Sequence, residues 1–584
     1  MHRSVRNWIL AAGLVATASA AYGQQAIHWW NPEQADFPVV AGQGWHEGLA
    51  HFYDRLPAKA ESRVRKAVWH LSHETAGLNI RFRAQSTDIY VRYVVGGNQA
   101  MPHMPATGVS GVDLYALNKD GGWEWSAGDY HFGDTITYHF ASLPDAYTRE
   151  YQLYLPLYNN VEWLEIGVPD SAGFTPLPLR PDKPIVLYGT SIAQGACASR
   201  PGKAWTAILS RNLHRPLINL AFSGNGRLES AVTDLLTELD PEIYVVDCLP
   251  NMTRFPVDTI KNRLLHTIRT LRTARPEVPI LIVEDADGTV DELDEDRNAA
   301  YDKVNKVGEE VFAQLKAEGL EQIYLLTDEE IGLDIESTVD GVHPNDYGMA
   351  QYASAYTTRI RQILHEPVGN SSTTRPVKEY RSKAYDWNAR HLQVLQLNKK
   401  SPPRVVFLGN SITHNWGGDP SGKASRGDDS WNQYFKPAGV HNMGFGWDRI
   451  ENVLWRVYHG ELDGYQAKQV LINIGTNNLA FNTDEEIISG LKLLVEAIKQ
   501  RQPTAEILMI GIYPRKGGEE RVAALNQKIV RLCGATDIRY ADPGALLLDD
   551  SGKVVESLFA DGRLHPNAKG YSILAKALAP YLVQ

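Results

Sequence analysis

Cysteine is scarce in this sequence, since the 584 residues contain only three. Three cysteines allow at most one disulfide, so no dense disulfide framework supports the fold. The sequence also lacks a CxxC pair and any Cys/His cluster with the spacing of a structural zinc site. The fold must therefore be stabilised by ordinary apolar cores.

An excess of positive charge is also absent. The 58 Lys and Arg residues are outnumbered by 69 Asp and Glu residues, which gives a net charge of −11. Surfaces that bind polyanions are usually basic, so nucleic acid is not an expected partner. After Ala20 no segment reaches the roughly 18 apolar residues that a membrane span requires. With 43% hydrophobic and 22% charged residues, the composition is typical of a globular protein with several domains.

The first 23 residues have the features of a secretory signal peptide. Arg3 and Arg6 precede an apolar stretch from Trp8 to Ala20, and small residues follow up to Gly23. No cysteine follows this stretch to accept a lipid. We therefore expect cleavage near Gly23 and a mature protein that is periplasmic or secreted, without a membrane span.

Residues 26–179 alternate apolar and polar side chains in stretches such as LNIRFRAQ and IYVRYVV. This pattern predicts a β-sandwich or jelly roll. The region is rich in tryptophan, and these side chains are expected either to fill the core or to stack on sugar rings. The tryptophans concerned are Trp29, Trp30, Trp45, Trp69, Trp123 and Trp125.

From residue 183 to 366 the pattern changes to short apolar runs separated by amphipathic stretches. The runs include PIVLYG, PLINLAFSG, EIYVVDCLPN, PILIVED and IYLLTD. Such alternation predicts a buried parallel sheet with helices on both faces. Residues 369–399 begin with GNSSTTR and are expected to form a linker. Residues 400–584 repeat the strand pattern, so this last unit is interpreted as a divergent copy of the middle unit.

A serine and a histidine recur in both units at nearly the same separation. Ser191 and Ser411 each follow an apolar strand, at the sheet edge where α/β proteins bind ligands. His343 lies 152 residues after the first serine, and His565 lies 154 residues after the second. One serine behind a strand is more often a turn or N-cap residue, but the repetition in two units favours a catalytic pair.

These residues resemble the four conserved blocks of the SGNH, or GDSL-type, hydrolase superfamily, whose members are serine esterases on a flavodoxin-like three-layer fold. The blocks are YGTSI, NLAFSGNG, CLPNM and DGVHP in the middle unit, and LGNSIT, NMGFGWDR, IGTNN and DGRLHP in the last unit. The resemblance implies that no metal or cofactor is needed. It implies the nucleophiles Ser191 and Ser411, the bases His343 and His565, the orienting acids Asp340 and Asp561, and the oxyanion-hole residues Gly224, Asn251, Trp447 and Asn477.

Two departures affect the last unit. Trp447 stands where the middle unit has an oxyanion glycine, and its allowed φ range is narrower than that of glycine. Asp561 precedes its histidine by four residues, whereas Asp340 precedes its own by three. Asp561 is still expected to orient its histidine. The extra residue, Leu564, must then be absorbed in the loop.

The N-terminal segment GVDLY, from Gly111 to Tyr115, resembles the β domain that precedes one branch of these esterases. The last unit resembles the platelet-activating-factor acetylhydrolase branch, and both branches act on short acyl groups. Two such units behind a signal peptide resemble bacterial sialate and polysaccharide O-acetylesterases. An acetylated glycan, most of all sialic acid, is therefore the predicted substrate, and Arg200 and Arg449 are candidate ligands of a sugar carboxylate or else ordinary surface arginines.

Three alternatives remain at this point. A xylan or pectin acetylesterase fits the same residues. A lipase or phospholipase needs a broad apolar groove, whereas the loops after both serines are polar and small. A carbohydrate-binding protein with inactive esterase folds has no need for complete Ser, Asn and His sets. Cys197 and Cys248 flank the first site and are expected either to pair or to remain buried thiols.

Overall fold

The computed structural model describes residues 26–118, 121–286, 293–379 and 384–583. The predicted signal peptide, residues 1–23, lies outside the described residues. Among the described helices, none is both long and apolar enough to cross a membrane.

The N-terminal domain is a sandwich of two antiparallel sheets, which confirms the β architecture predicted from the alternating pattern. The first sheet has the strand order β1-β10-β4-β8-β7 and the second β11-β3-β9-β5-β6, with β2 paired to β3. Ile80, Phe82 and Leu164 fill the core between the sheets. The strands are β1 (Ile27–Trp30), β2 (Val40–Ala41), β3 (Asn79–Gln85), β4 (Ile89–Val95), β5 (Asp113–Leu117), β6 (Trp123–Ser126), β7 (Asp129–His131), β8 (Ile136–Phe140), β9 (Arg149–Tyr154), β10 (Val161–Pro169) and β11 (Gly173–Pro176). The helices are α1 (Lys66–Leu71) and α2 (Ala106–Val109).

Residues 44–75, between β2 and β3, leave the sandwich and pack into the middle unit, and we call this segment the arm. Leu56 and Val68 of the arm are buried in the same apolar cluster as Leu220 of the middle unit. Arg55 is buried, and its guanidinium donates to the carbonyls of Asn219 and Ala221 at 3.0 and 2.8 Å. The arm therefore completes the core of the middle unit.

The tryptophans of the N-terminal domain are mostly packed against protein. Trp69 is buried in the core that the arm shares with the middle unit, and Trp45 packs against that core. Trp125 is 49% exposed, but its indole N–H donates to Asp113 and the Arg200 guanidinium lies 4.1 Å from its ring. The remaining three, Trp29, Trp30 and Trp123, are partly buried.

The middle unit contains a five-stranded parallel sheet of order β13-β12-β14-β15-β16 with helices on its faces. This is the flavodoxin-like order 2-1-3-4-5, so the predicted fold class is confirmed. The strands are β12 (Ile185–Gly189), β13 (Leu217–Ala221), β14 (Ile243–Asp247), β15 (Ile280–Val283) and β16 (Ile323–Leu326). The helices are α3 (Ser191–Gln194), α4 (Trp205–Leu213), α5 (Ser230–Leu236), α6 (Val257–Ala274), α7 (Glu295–Ala317), α8 (Asp328–Ile331) and α9 (Asp346–Ile363).

Helix α10 (Trp387–Lys400) lies within the segment expected to be a linker. Trp387 is buried, and its indole N–H donates to Asp448 at 2.8 Å. Trp387 and Val394 belong to the core of the last unit, and the Asp386 side chain caps the helix. Residues 387–400 are thus part of the last unit, because Trp387 and Val394 pack into its core although the residues before the helix are small and polar.

The last unit repeats the same parallel topology, with strand order β18-β17-β19-β20-β21. The strands are β17 (Val405–Gly409), β18 (Val440–Gly444), β19 (Gln469–Asn473), β20 (Glu506–Ile510) and β21 (Arg539–Ala541). The helices are α11 (Ser411–His414), α12 (Asp428–Ser430), α13 (Ile450–Tyr458), α14 (Asp484–Arg501), α15 (Glu519–Thr536) and α16 (Ala568–Leu578). The two α/β units are therefore structural copies.

Candidate active sites

Each candidate nucleophile is the first residue of a short helix that follows β12 or β17, the second strand in the spatial order of its sheet. In β12, Gly189 pairs with Ala221 on one side and Asp247 on the other, and Ser191 follows two residues later. This places Ser191 at the carboxyl edge of the sheet, between the ends of two neighbouring strands. The edge positions of parallel strands are where α/β proteins place their ligands.

Ser411 has the same position in the last unit. Gly409 pairs with Gly444 and Asn473, and Ser411 follows two residues after that glycine. The sheet register therefore gives an alignment of the two units that does not depend on sequence similarity. Every candidate site residue of one unit can be compared with its counterpart by counting from the paired strand ends.

The structure brings Ser191, His343 and Asp340 together in the middle unit. The Ser191 Oγ lies 2.9 Å from the His343 Nε2, and the His343 Nδ1 lies 2.8 Å from the Asp340 Oδ2. With the proton on Nδ1 donated to the carboxylate, Nε2 is free to accept the hydroxyl proton. Asn345 then caps α9 by accepting two backbone N–H groups, which fixes the start of the helix behind the histidine.

Ser411, His565 and Asp561 form the corresponding chain in the last unit. The Ser411 Oγ lies 3.0 Å from the His565 Nε2, and the His565 Nδ1 lies 2.6 Å from the Asp561 Oδ2. The loop is closed by a backbone bond from Ala560 N to His565 O at 2.7 Å, as Val339 N to His343 O closes the other loop at 2.9 Å.

The extra residue of the last unit is absorbed at the tip of this loop. The Asp561 Oδ1 accepts the backbone N–H groups of Arg563, Leu564 and His565 at 2.9, 2.8 and 3.1 Å. Leu564 thus adds a third donor instead of turning the carboxylate away. The difference in spacing between the two aspartates leaves the contact with histidine intact.

Both aspartates are held in the ionised form. Partial burial by itself raises the pKa of Asp340, but the backbone N–H and the ring of His343 outweigh burial and lower it. Burial likewise acts to raise the pKa of Asp561. The N–H groups of Leu564 and Arg563 and the ring of His565 outweigh burial, so the pKa of Asp561 is lowered. Each imidazole therefore faces a carboxylate that is charged at neutral pH, which favours the imidazolium that forms during proton transfer.

Gly224 and Trp447 lie at the third position of equivalent β-turns. The turn of the middle unit is closed by Asn225 N to Phe222 O at 2.7 Å. Each residue follows by three positions the strand end that pairs with the glycine before the nucleophile. Gly224 and Trp447 therefore stand at equivalent positions of the two units. We call residues 222–226 and 445–449 the oxyanion turns.

Asn251 and Asn477 also correspond, since each follows the third strand of its sheet by four residues. The Asn251 Oδ1 accepts the N–H of Gly226 at 3.0 Å, which orients its amide N–H₂ group away from the turn. The Asn477 Nδ2 donates to the carbonyl of Asp448 at 2.9 Å. Both side chains therefore contact the oxyanion turn of their own unit.

Arg200 is held by the GVDLY segment of the N-terminal domain. Its guanidinium donates to the Asp113 carboxylate and, at 2.9 Å, to the Tyr115 hydroxyl. Asp113 also accepts the backbone N–H of Gly202 at 2.9 Å. The expectation that Arg200 binds a substrate carboxylate is not supported, because the buried Asp113 already neutralises its charge.

Arg449 also has an internal partner. Its Nε lies 3.1 Å from the Glu451 carboxylate, and its guanidinium lies 5.3 Å from the Phe481 ring. Arg449 is thus the last residue of the oxyanion turn, and Glu451 neutralises its charge. This arrangement agrees with the alternative of an ordinary capping arginine.

Cys197 and Cys248 are free thiols in the structure, and both are buried. The sequence left open a disulfide or two buried thiols, and the structure has two buried thiols. Burial raises the pKa of Cys197 to about 12, so this thiol stays protonated and is a poor nucleophile at neutral pH.

Sequence reasoning missed several residues that the N-terminal domain contributes to the first site. The imidazole of His103 lies 6.1 Å from that of His343, measured between ring centroids. Arg65 of the arm donates to the side chain of Asn225 in the oxyanion turn at 2.7 Å. Tyr158 donates to the backbone carbonyl of Ser191 at 3.2 Å. These contacts join distant parts of the chain, so no local sequence signal could have revealed them.

The fold and the comparisons with known proteins define an acylhydrolase. Family models described as GDSL-like lipase/acylhydrolase match residues 182–361 and 407–573, and a model described as the N-terminus of SGNH-hydrolase-type esterases matches residues 27–174. Subunit alpha2 of platelet-activating factor acetylhydrolase IB from Bos taurus is 30% identical over 207 residues, which cover 34% of this chain and 84% of the relative. The chain belongs to the GDSL-like lipase/acylhydrolase family.

One solved structure agrees with this assignment. A GDSL-like lipase from Bacteroides ovatus is 30% identical, with a TM-score of 0.54, and the match covers 58% of this chain and 98% of that chain. A family two carbohydrate esterase from Cellvibrio japonicus is 13% identical with a TM-score of 0.39, over 58% of this chain and 98% of that chain.

Proposed function

We propose that the protein is an exported serine esterase that removes O-acetyl groups from carbohydrates, with one active site in each α/β unit. The observation that carries the proposal is the pair of Ser-His-Asp chains, with Oγ to Nε2 distances of 2.9 and 3.0 Å. Hydroxyl, imidazole and carboxylate in this order are what acyl transfer to serine requires.

In the proposed reaction the Ser191 Oγ attacks the ester carbonyl while the His343 Nε2 takes the hydroxyl proton. The carbonyl oxygen becomes negatively charged and is stabilised by the N–H groups of Ser191 and Gly224 and by the Asn251 amide. His343 then returns the proton to the sugar oxygen, the C–O bond breaks, and an acetyl-serine remains. Water attacks this ester with His343 again as the base, which releases acetate and restores the serine.

The last unit is proposed to follow the same steps with Ser411 and His565. Trp447 and Asn477 take the places of the oxyanion glycine and asparagine. A tryptophan can serve at this position because the donor is its backbone N–H, which every residue except proline provides. The two sites are thus proposed to catalyse the same reaction, and they differ in the residue of the oxyanion turn, which is Gly224 in one and Trp447 in the other.

A short acyl group is supported by the name of one relative and by the residues that follow the nucleophile. The bovine relative that is 30% identical is an acetylhydrolase by name. In the middle unit the loop after the nucleophile is closely packed, since a Cβ on Gly195 would lie 3.0 Å from Ala204 and 3.1 Å from Leu157. A long acyl chain needs a broad apolar groove, whereas the residues that follow Ser191, AQGACASRPGK, are mostly small or polar.

A carbohydrate leaving group is supported by aromatic residues beside the last site. Trp447 is 45% exposed and Phe481 is 72% exposed, and the guanidinium of Arg449 links the turns that carry them. Exposed aromatic faces suit the apolar faces of pyranose rings. Acetylated sialic acid remains the predicted substrate, with acetylated xylan or pectin as the alternatives. Arg200 and Arg449 already have acidic partners, so a sialate carboxylate would have to compete with Asp113 or Glu451 for them.

Mass spectrometry of a substrate panel tests the proposal. Acetylated sialic acids, xylan and pectin are incubated with the wild type, Ser191→Ala, Ser411→Ala and the double variant. Each single variant should deacetylate at least one substrate, and the double variant should retain only a weak background. Glycan binding without acetate release by the wild type would show instead a binding protein with inactive esterase folds.

A further inference from the structure

The residue three positions after the nucleophile holds the oxyanion turn in the middle unit. Gln194 is buried, and its amide oxygen accepts the backbone N–H of Ser223 at 2.9 Å. Ser223 directly precedes Gly224. The Gln194 Nε2 donates to the Glu74 carboxylate and to the Leu157 carbonyl, which keeps the amide oxygen turned toward the oxyanion turn. A carboxamide does not titrate, so the Gln194 oxygen is an acceptor at every pH, although burial raises the pKa of the Glu74 carboxyl to which the amide donates.

The last unit makes the same contact with a histidine. His414 lies three residues after Ser411, and its Nδ1 accepts the backbone N–H of Gly446 at 3.1 Å. Gly446 directly precedes Trp447. The Tyr385 hydroxyl donates to the Gly446 carbonyl at 2.9 Å, and its ring lies edge-on to the imidazole at 4.8 Å. Both polar groups of Gly446 are therefore held by side chains of the last unit.

This contact requires the neutral imidazole. Nδ1 can accept the Gly446 N–H only when it carries no proton, so the ring proton resides on Nε2, which lies 3.6 Å from the Asp419 carboxylate. Protonation of His414 would place an Nδ1–H opposite the Gly446 N–H at 3.1 Å. Two donors cannot bond to each other, so the hold on the oxyanion turn would be lost.

The charged groups around His414 favour the neutral form at pH 7. Burial lowers its pKa below the ordinary value; the Asp419 carboxylate acts to raise it, and the charges of Arg390 and Lys423 act to lower it. Arg390 is bonded to Asp419 at 2.6 Å, which limits the attraction that this carboxylate offers to an imidazolium. The Tyr385 phenol faces the ring as a neutral group, because burial raises the pKa of Tyr385. His414 thus gains its second proton only in acid.

We propose that Gln194 and His414 are positioning residues for the two oxyanion turns, and that His414 makes the last site sensitive to acid in a way that the middle site is not. The inference rests on the proposed function, since it concerns the same oxyanion turns. Both sites lose activity when the catalytic imidazole is protonated. The last site loses it additionally when His414 is protonated and releases Gly446.

Acid-limb kinetics of the full chain test this without altering either positioning residue. Initial rates on 4-nitrophenyl acetate are measured as kcat/KM from pH 4 to pH 8, in Ser191→Ala to report the last site and in Ser411→Ala to report the middle site. The expected acid limb has a slope of about one proton for the middle site, and steepens to about two protons for the last site. Equal slopes of one proton in both variants would overturn the proposal.

Exchange of the two side chains is the matched test. In the Ser191→Ala background, His414→Gln should return the acid limb to about one proton and retain most of the neutral-pH rate, whereas His414→Ala should lose about tenfold or more at every pH. In the Ser411→Ala background, Gln194→His should add a proton to the acid limb. A His414→Gln variant that keeps the two-proton limb, or that is no more active than His414→Ala, would overturn the proposal.

Failure of the proposed function is recognised separately. If Ser191→Ala has no esterase activity at any pH while its circular dichroism matches that of the wild type, the last site is not an esterase, and the inference falls with the function. If both serine variants are active, only the pH slopes and the exchanged variants decide the roles of Gln194 and His414.

Discussion

Gly224 and Trp447 share one backbone conformation, with φ values of +64° and +62°. A positive φ at the third position of a β-turn favours glycine, and it is unusual for a bulky side chain. The last unit thus retains a strained residue beside its nucleophile. Such strain persists where the surrounding structure fixes it, and it often marks a functional position.

The first prediction concerns this strain. We expect Trp447→Gly to be about 1 kcal/mol more stable than Trp447→Ala, because alanine pays the cost of a positive φ and glycine does not. Gly224→Ala should lose a similar amount relative to the wild type, since a Cβ at Gly224 meets no atom within 4 Å and the cost is confined to the backbone. Urea unfolding of each Gly/Ala pair measures the difference. Equal stabilities at position 447 would mean that this turn relaxes.

The second prediction concerns the orienting acids. Asp340→Asn and Asp561→Asn should each lower kcat by orders of magnitude, because an amide can favour the wrong tautomer of the histidine. The same Asp→Asn change in a serine protease lowers kcat by about 10⁴. Each variant is measured in the background where the serine of the other unit is alanine. Losses of similar size are expected, since the Asp–His distances are 2.8 and 2.6 Å. A loss below tenfold for Asp561→Asn would leave a Ser-His pair in the last unit.

The third prediction concerns a buried carboxyl beneath the first site. Burial raises the pKa of Asp247 to about 7, and the Tyr356 hydroxyl that donates to it at 3.0 Å only partly offsets this effect. In the unfolded chain this group ionises near pH 4, so between pH 4 and pH 7 the folded state holds a proton that the unfolded state has lost. Stability should therefore fall as pH rises through this range, by about 4 kcal/mol at most.

Asp247→Asn should remove that dependence. The last unit already has an asparagine, Asn473, at the equivalent strand position, where its amide donates to the Gly511 carbonyl at 3.0 Å. Chemical denaturation of the middle-unit transition at pH 5 and pH 8 provides the comparison. The variant should gain stability relative to the wild type at pH 8 and gain less at pH 5. An equal difference at both pH values would indicate that Asp247 does not titrate in this window.

The fourth prediction concerns the contact between the GVDLY segment and the first site. Asp113 binds Arg200 and Gly202, while the neighbouring Ser199 binds Asp346 through its backbone N–H at 2.9 Å, three residues beyond His343. Arg200→Ala should therefore displace the loops that carry nucleophile and base, and lower kcat/KM of the middle site by about tenfold to a hundredfold.

The last site is the internal control for that change. Measured in Ser191→Ala, the activity of the last unit should not respond to Arg200→Ala, because Arg200 bonds to the N-terminal domain. Loss of activity at both sites would mean that the variant destabilises the whole chain, and no loss at the middle site would mean that Arg200 acts only in domain adhesion.

The sequence predicted the architecture where local patterns carry the information. Alternation in β3 and β4 and short buried runs such as β12 specify their sheets because side-chain periodicity follows burial. Ser191 and His343 could be found because their separation recurs in the last unit. The roles of Arg200 and of the arm could not be predicted, since Asp113 and Ala221 lie far away in the sequence from the residues they contact.

Helix α10 illustrates a different limit. Its buried face has only two apolar residues, Trp387 and Val394, and the other buried residues are Arg390, His391 and Asn398. The small polar residues that precede the helix predict a linker. The structure agrees for that part of the segment, where residues 372–374 form a single 3₁₀ turn. The packing partner that makes this helix part of the last unit, Trp455, lies in a later helix.

The arm has a consequence for how this protein can be divided or recombined. The main apolar cluster of the middle unit includes Leu56, Val64 and Val68, whereas the two clusters of the last unit draw on residues from 385 onward. A fragment of residues 183–366 alone would therefore expose the part of its core that the arm covers. It would also lack Arg55, which donates to the carbonyls of Asn219 and Ala221. The arm precedes the middle unit in the chain, so during synthesis it is available before the middle unit folds. The apolar cores thus join the N-terminal domain to the middle unit, whereas the cores of the last unit contain residues from 385 onward.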